Sequence, residues 1–369
     1  MEKDFLPVYR PDLSGNEKRY VNECLDTTWI SSIGGFIDKF EAAFRDVTGA
    51  PYAWCVSNGT VALHLAIHCL DIGPGDEVIV PTFTYIASVN TIAQTGARPV
   101  FAECRADDWL IDVADVAARI TPRTKAIMAV HLYGAVCDLP ALSALAKAHG
   151  LFLIEDCAEA LGSTFENRHV GLFGDVGTFS FFGNKTVTTG EGGMVICKDE
   201  ALARRMKIVK GQGQSLVKRY WHVELGFNYR MTNICAAIGL AQIERLPAIL
   251  ARKREIGARY RLLCAERLNN AVVFQDVPDH VVSSDWLVSV LLPPGADRDA
   301  VMARMQEAGV DTRPVFYCAH RMPMYSRSEN FPVSETIAAR GISLPSYPTL
   351  SDSDVERVVE TLGGALMAR

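Results

Sequence analysis

The sequence predicts an α/β fold, with a large domain built on a mostly parallel central sheet flanked by helices and a smaller C-terminal α+β domain. Three observations predict it. Short runs rich in Val, Ile, Phe and Met recur at residues 77–81, 99–102, 125–131, 151–154, 177–182 and 194–198. Most are continuous rather than alternating, as in strands covered on both faces. Helix-like segments at 60–70, 86–94, 139–148 and 200–209 separate several of them, and such alternation is the mark of βαβ units. Breakers stand at the turns: Gly73-Pro74-Gly75-Asp76, Thr121-Pro122-Arg123 and Gly192-Gly193.

Beyond these, residues 232–267 read as one long helix, apolar first and then charged, with basic and acidic side chains at helical spacing over 251–261. A strand at 286–292, a helix at 298–308, a strand at 310–316 and a last helix at 353–366 follow, the last with cap candidates in Ser351-Asp-Ser-Asp354. A chain of 369 residues exceeds what one core usually holds. The expected division is 1–246 for the large domain and 247–369 for the small one.

Composition narrows the class. Apolar residues make up 49% and charged residues 22%, with a net charge of −6, the profile of a globular enzyme with no support for nucleic-acid binding. Ten scattered cysteines include no C-x-x-C pair, so neither a zinc site nor a disulfide framework is signalled. The first ten residues show no secretory core, and no apolar run reaches the roughly 18 residues of a membrane span. A cytoplasmic location is expected. No metal site is expected either, since the eight histidines form no ligand-spaced cluster; His64 and His68, four apart on a helix with apolar neighbours, read as packed or capped. P-loop, nucleophile-elbow and H-E-x-x-H patterns are absent, and Gly211-Gln-Gly213 lacks the third glycine of a dinucleotide fingerprint.

Four segments could carry chemistry. In Leu151-Phe-Leu-Ile-Glu-Asp156 an apolar strand ends in two carboxylates, and ligands of open α/β sheets gather at such ends. A partly desolvated Asp156 there wants a cationic partner, such as a protonated pyridine nitrogen. A helix cap is an equally open reading. In Gly177-Thr-Phe-Ser-Phe-Phe-Gly-Asn-Lys185 a strand runs into a turn with one lysine. Desolvation would free that amine as a nucleophile towards a carbonyl, and Ser180 offers a hydroxyl to a phosphate. Taken alone, a solvent-facing lysine is the commoner case. Ser57-Asn-Gly-Thr60 opens a helix whose free N–H groups and dipole favour a phosphate, with Gly59 allowing close approach and Thr60 adding a hydroxyl; an ordinary cap is the alternative. Pro81-Thr-Phe-Thr-Tyr85 offers an aromatic ring for stacking, or for core packing in the case of Phe83.

Taken in order, Ser57-Asn-Gly-Thr60, residues 81–85, Glu155-Asp156-Cys-Ala-Glu159, Ser180 and Lys185 resemble the fold-type-I pyridoxal 5′-phosphate (PLP) enzymes. More narrowly, the chain resembles the DegT/DnrJ/EryC1/StrS sugar aminotransferases over nearly its whole length. Gly174-Asp-Val-Gly-Thr-Phe-Ser-Phe-Phe-Gly-Asn-Lys185 and Gly226-Phe-Asn-Tyr-Arg-Met-Thr-Asn233 are the most specific parts. Asp26-Thr-Thr-Trp-Ile-Ser-Ser32, Thr121-Pro-Arg-Thr-Lys-Ala-Ile127 and His131-Leu-Tyr-Gly134 are similar to the branch that aminates C4 of GDP-4-keto-6-deoxy-D-mannose.

The resemblance implies roles. Lys185 would join the cofactor aldehyde covalently and then carry the proton between substrate and cofactor. Asp156 would keep the pyridine nitrogen protonated, so that the ring accepts electrons. Gly59, Thr60 and Ser180 would hold the phosphate, and Tyr85 would stack on the ring. Asn228 would reach the phosphate of a neighbouring subunit, which implies a two-fold homodimer with shared sites, with a tetramer of such dimers as the alternative. Glu159 would stand near the phenolic oxygen of the ring, where many relatives have Gln or His, so either its carboxyl is protonated or a proton is shared there. His320 would lie near the sugar. The implied substrates are L-glutamate and a nucleotide-linked 4-keto-6-deoxy sugar, GDP-linked, with dTDP- or UDP-linked sugars as the alternative. A PLP-dependent sugar dehydratase of the same family typically has His at the lysine position, so Lys185 favours transamination. A non-catalytic PLP-binding regulator would not need both Asp156 and Lys185.

Overall fold

A computed structural model describes residues 5–326 and 328–367. Its centre is a seven-stranded sheet in the order Tyr52–Val56, Gly193–Cys197, Val176–Ser180, Phe152–Asp156, Thr124–Val130, Glu77–Pro81 and Arg98–Ala102. Six strands run the same way; Gly193–Cys197 opposes both of its neighbours. The continuous apolar runs are buried as their pattern requires: Val78, Ile79, Val80, Ala126, Ile127 and Met128 are fully covered. Each such aliphatic side chain contributes roughly 1.5–3 kcal/mol relative to exposure. Two apolar clusters are built on this sheet, one around Val78, Phe101 and Ile127 and one around Phe40, Phe44 and Phe179.

The edge strand Tyr52–Val56 is not foreseen by a search for continuous apolar runs. It alternates half-covered Tyr52 and Trp54 with buried Ala53 and Cys55, so small residues hide its inward face. The helix expected over 232–267 is broken. Asn233–Glu244 and Leu246–Leu268 meet at a 63° bend, where Pro247 stands in the first turn of the second helix and cannot continue the hydrogen bonding of the first. The charged face of Leu246–Leu268 lies on the helix Asp352–Met367, through Arg259–Glu356 and the 2.6 Å Arg267–Glu360 pair.

The C-terminal part carries an antiparallel sheet of four strands: Val273–Phe274, Val288–Leu291, Gly341–Leu344 and Arg313–Pro314. Its core joins Val290, Ile342 and Leu344 to Ile256, Tyr260, Val355 and Val358. The strand expected over 310–316 shrinks to two residues, because Pro314 ends its pairing. Residues 6–8 bond to this part through the backbone, Leu6 bridging Val310 and Ser346 donating its N–H to the Val8 carbonyl at 2.9 Å, while the Val8 side chain packs in the cluster of the large sheet. The N-terminal stretch therefore crosses the division expected at residue 246. Among the described residues no single helix is long and apolar enough to cross a membrane.

Candidate active site

Four strands of the large sheet deliver their carboxyl ends to one cavity of about 820 Å³, the place where open α/β sheets hold ligands. Tyr52–Val56 leads into the helix Gly59–Cys69, Glu77–Pro81 leads to Tyr85, Phe152–Asp156 ends in Asp156, and Val176–Ser180 ends in Ser180 with Lys185 in the next turn. Register sets the depth: Asp156 pairs with Val130 on one side and Thr178 on the other.

The helix Gly59–Cys69 is capped by Asn58, whose side-chain oxygen accepts the Val61 N–H at 2.9 Å. Gly59 allows the approach of Ser180. A Cβ at residue 59 would lie 2.7 Å from Ser180 Cβ and 3.0 Å from its Oγ. The free N–H groups of a helix start thus meet a hydroxyl across a gap that no side chain fills, which is a cradle for an anion.

Asp156 is buried, its Oδ2 accepting the Ser88 hydroxyl at 2.7 Å and its Oδ1 the Ala158 N–H at 3.1 Å. Burial raises its pKa, opposed by the Ser88 hydroxyl, the Ala158 N–H and the charge of Lys185. A carboxyl left in this state gains from a cation placed before it. Glu159 is buried beside it, accepting the Tyr133 N–H at 3.0 Å and facing Lys185 Nζ at 3.3 Å. Burial raises Glu159 too, against the charge of Lys185 and the Tyr133 N–H. Tyr133 holds that N–H in place from a left-handed backbone, φ 58°, a conformation that a non-glycine residue adopts at some cost. Next door, Glu155 belongs to the framework. Its oxygens accept the N–H groups of Gly171, Phe173 and Gly174 at 2.6–2.7 Å and contact His131. Burial pushes its carboxyl up, but His131 and those N–H groups outweigh burial and hold it below the ordinary value. His131, Glu155 and Cys157 lie close enough together to suit a metal ion, yet the carboxylate and the ring are committed to these hydrogen bonds.

Of the residues singled out in the sequence, Gly59, Thr60, Tyr85, Asp156, Glu159, Ser180 and Lys185 line the cavity, whereas Asn228 and His320 do not. Asn228 is exposed while its neighbours Phe227 and Tyr229 line the cavity. His320 is placed differently from the expectation of a sugar contact. It is fully buried, with Nδ1 2.6 Å from the Thr82 hydroxyl and Nε2 2.9 Å from Glu335, so both ring nitrogens are engaged within the protein. His64 is packed, as its apolar neighbours predict, against Phe227 and Tyr229. Sequence reading missed Ser88, Tyr133, Trp286 and Phe316. Trp286 passed for the start of a strand, and Ser88 stands one helical turn after Tyr85 with no local mark of its use.

These residues fit PLP. The cradle of Gly59, Thr60 and Ser180 suits a phosphate, the raised Asp156 carboxyl suits a pyridinium, and Lys185 is the one lysine among the lining residues.

The chain is similar to proteins of known activity and structure. The chain is 50% identical over 359 residues to the GDP-perosamine synthase of Escherichia coli O157:H7, covering 97% of this chain and 98% of that one. It is 48% identical to the GDP-perosamine synthase of Vibrio cholerae, covering 96% and 97%. Among solved structures, the aminotransferase TlmJ of Streptoalloteichus hindustanus superposes with a TM-score of 0.93 at 32% identity over 98% of both chains. The PLP form of the sugar aminotransferase Spr1654 from Streptococcus pneumoniae gives 0.91 at 29%, also over 98% of both. A family model matches residues 11–363, and the chain belongs to the DegT/DnrJ/EryC1/StrS aminotransferase family.

Proposed function

We propose that the protein transfers the amino group of L-glutamate to C4 of GDP-4-keto-6-deoxy-D-mannose, giving GDP-perosamine, with PLP as cofactor. The single observation that carries the reading is one cavity that holds the Lys185 amine, the Asp156 carboxyl and the Gly59–Ser180 cradle together. Identities of 45–50% to three GDP-perosamine synthases over nearly the full length support the choice of sugar nucleotide.

Bound PLP supplies an aldehyde and an electron-withdrawing ring through which an amino group can be accepted and handed on. The chain's own groups do the rest. Lys185 Nζ would be the nucleophile that holds the aldehyde, and its free amine would carry the proton exchanged with the substrate. Asp156 holds the ring nitrogen in its protonated form. Gly59, Thr60 and Ser180 bind the phosphate, and Tyr85 covers the ring. Glu159, which faces the Lys185 amine at 3.3 Å, would lie near the ring oxygen. A volume of about 820 Å³ lies towards the upper end of small-molecule sites and leaves room for the reacting end of a sugar nucleotide.

The enzyme is read as a two-fold homodimer in the cytoplasm that feeds O-antigen and lipopolysaccharide biosynthesis. Exposed large apolar residues at 29–33 and 216–225, among them Trp29, Ile33, Val217, Tyr220, Trp221 and Leu225, support an interface. Ten free thiols suit a reducing compartment. Asn228, exposed beside the cavity, is the residue assigned to a neighbouring subunit's phosphate.

Absorbance of the purified protein tests the chemistry. The visible cofactor band is expected to shift on adding L-glutamate and to return on adding the GDP-linked keto sugar. No response to glutamate overturns the reading. A response restored only by a dTDP- or UDP-linked keto sugar overturns the choice of nucleotide.

A further inference from the structure

Two aromatic side chains, from chain segments far apart in sequence, grip the backbone of the turn that carries Lys185. The Tyr9 hydroxyl donates to the Lys185 carbonyl at 2.6 Å, and Trp286 Nε1–H donates to the Asn184 carbonyl at 2.7 Å. The face of the same indole lies 3.9 Å from Lys185 Nζ, on an amine that also meets Glu159 Oε1 at 3.3 Å. The amine is thus placed between a carboxylate and a ring face, both favourable to a cation, while the backbone beneath it is held on two sides.

Trp286 is itself held. Its carbonyl accepts Lys253 Nζ at 2.8 Å, and the other two contacts of that ammonium are the Ser346 carbonyl and hydroxyl, each at 2.6 Å. Lys253 is fully buried. Burial draws its pKa down to about 7, opposed by the charge of Asp285, but three acceptors match the three N–H bonds of an ammonium and favour the charged form. The same nitrogen lies 5.5 Å from the Tyr9 ring centre, and Ser346 holds the Val8 carbonyl. The Trp286 ring also stacks on Tyr133, 6.2 Å between centres and 8° from parallel, and Tyr133 is the residue whose N–H holds Glu159. Trp286 directly, Tyr9 through its ring, and Glu159 through Tyr133 and Trp286 are thus linked to one buried cation on the helix Leu246–Leu268.

We infer that Trp286, anchored from behind by Lys253, is a positioning residue that presents the Lys185 amine to the cofactor aldehyde. This rests on the reading of Lys185 as the residue that joins PLP. The bond formed is between the lysine nitrogen and the aldehyde carbon, with water leaving, so its rate depends on where the nitrogen is held. Displacing a reacting group by about 1 Å can slow a step about a hundredfold.

The test compares three variants with the parent apoprotein: Trp286→Leu removes ring and donor, Trp286→Phe keeps a ring face but not the donor, and Lys253→Met removes the anchor at similar volume. PLP is added, borohydride is used to fix the covalent product, and mass spectrometry follows labelling of residue 185 with time. Non-covalent affinity for PLP is measured separately in each variant after replacing Lys185 with Ala. Labelling of Trp286→Leu and Lys253→Met is expected to slow by about tenfold or more, and of Trp286→Phe less, with non-covalent affinity nearly unchanged because the phosphate cradle is untouched. If folded Trp286→Leu and Lys253→Met label as fast as the parent, or if slow labelling only follows lost affinity, the inference fails. Should both fail to fold, Trp286→Phe decides, a rate equal to the parent's overturning the role of the Nε1–H bond. A parent that is not labelled at Lys185 overturns instead the reading on which this one rests.

Discussion

Asp156 and Glu159 lie three residues apart on one cavity wall and are both buried, yet their partners differ. Asp156 is hydrogen-bonded only by neutral donors, the Ser88 hydroxyl and the Ala158 N–H, so a bound pyridinium would be the first cation in direct contact with it. Glu159 already faces the Lys185 ammonium at 3.3 Å. Their substitutions should therefore differ. Asp156→Asn removes the charge that keeps a pyridinium protonated and should lower kcat by about a hundredfold, with Ser88→Ala giving a smaller loss of about tenfold or less; stopped-flow absorbance with glutamate would show both in the first half-reaction. Lys185→Ala should abolish turnover, a drop of about a thousandfold or more, while PLP still binds without a covalent bond. Normal turnover in that variant would contradict the assignment. Lys185 and Asp156 could be picked out from the sequence because each ends or follows a buried strand and both fall in an ordered series of motifs that resembles the fold-type-I PLP enzymes. Ser88, Tyr133 and Trp286 could not, since their use depends on which distant residue they face.

At the scale of elements, the helix Gly59–Cys69 is the one whose placement matters most to the cofactor. Asn58 caps it, and Gly59 lets its first turn touch Ser180. Gly59→Ala adds a methyl carbon that would sit 2.7 Å from Ser180 Cβ. The helix start and the strand end must then part, and PLP affinity should fall by about tenfold or more, measured by equilibrium dialysis, with a far smaller change in thermal stability. Asn58→Ala should do the reverse in proportion, costing about 1 kcal/mol of stability through the lost cap. Most strands of the large sheet were legible in sequence because continuous burial demands continuous apolar residues. The edge strand Tyr52–Val56, the helix Pro332–Arg340 and the strand Gly341–Leu344 were not, as alternation with small residues, a proline start and a glycine start mask their periodicity. The long helix was legible, but its bend at Arg245 was passed over although Pro247 signalled it.

For the whole molecule, the thiols set an alkaline limit. Burial pushes Cys69, Cys104, Cys197 and Cys318 up to about 12 and Cys264 to about 11, from an ordinary value of 9.0. These are acids whose folded pKa is raised, so their contribution to stability is full below the unfolded value and is lost as pH climbs through the folded one. The unfolding temperature of the reduced protein should thus hold up to about pH 9 and fall steeply above it, and replacing Cys69 and Cys197 by Ala should make that fall shallower. A flat profile to pH 11 would rule out the thiols as its source. Assembly is the other property at this scale. On the proposal that the protein is a homodimer whose Asn228 serves the neighbouring site, Leu225→Asp with Trp221→Asp should give a monomer in light scattering and reduce PLP retention.

What the sequence determined by itself was most of the alternation of strands and helices in the large domain, the family and the residues at strand ends, because burial and turn chemistry act over a few neighbouring positions. The distribution of chemistry around Lys185 was decided only by the tertiary structure. Tyr9, Glu159, Lys253 and Trp286 lie far apart between residues 9 and 286, and nothing local distinguishes a tryptophan that fills a core from one that steadies an amine. Fixing that amine needs contacts from several directions, and one stretch of backbone can approach it from only one.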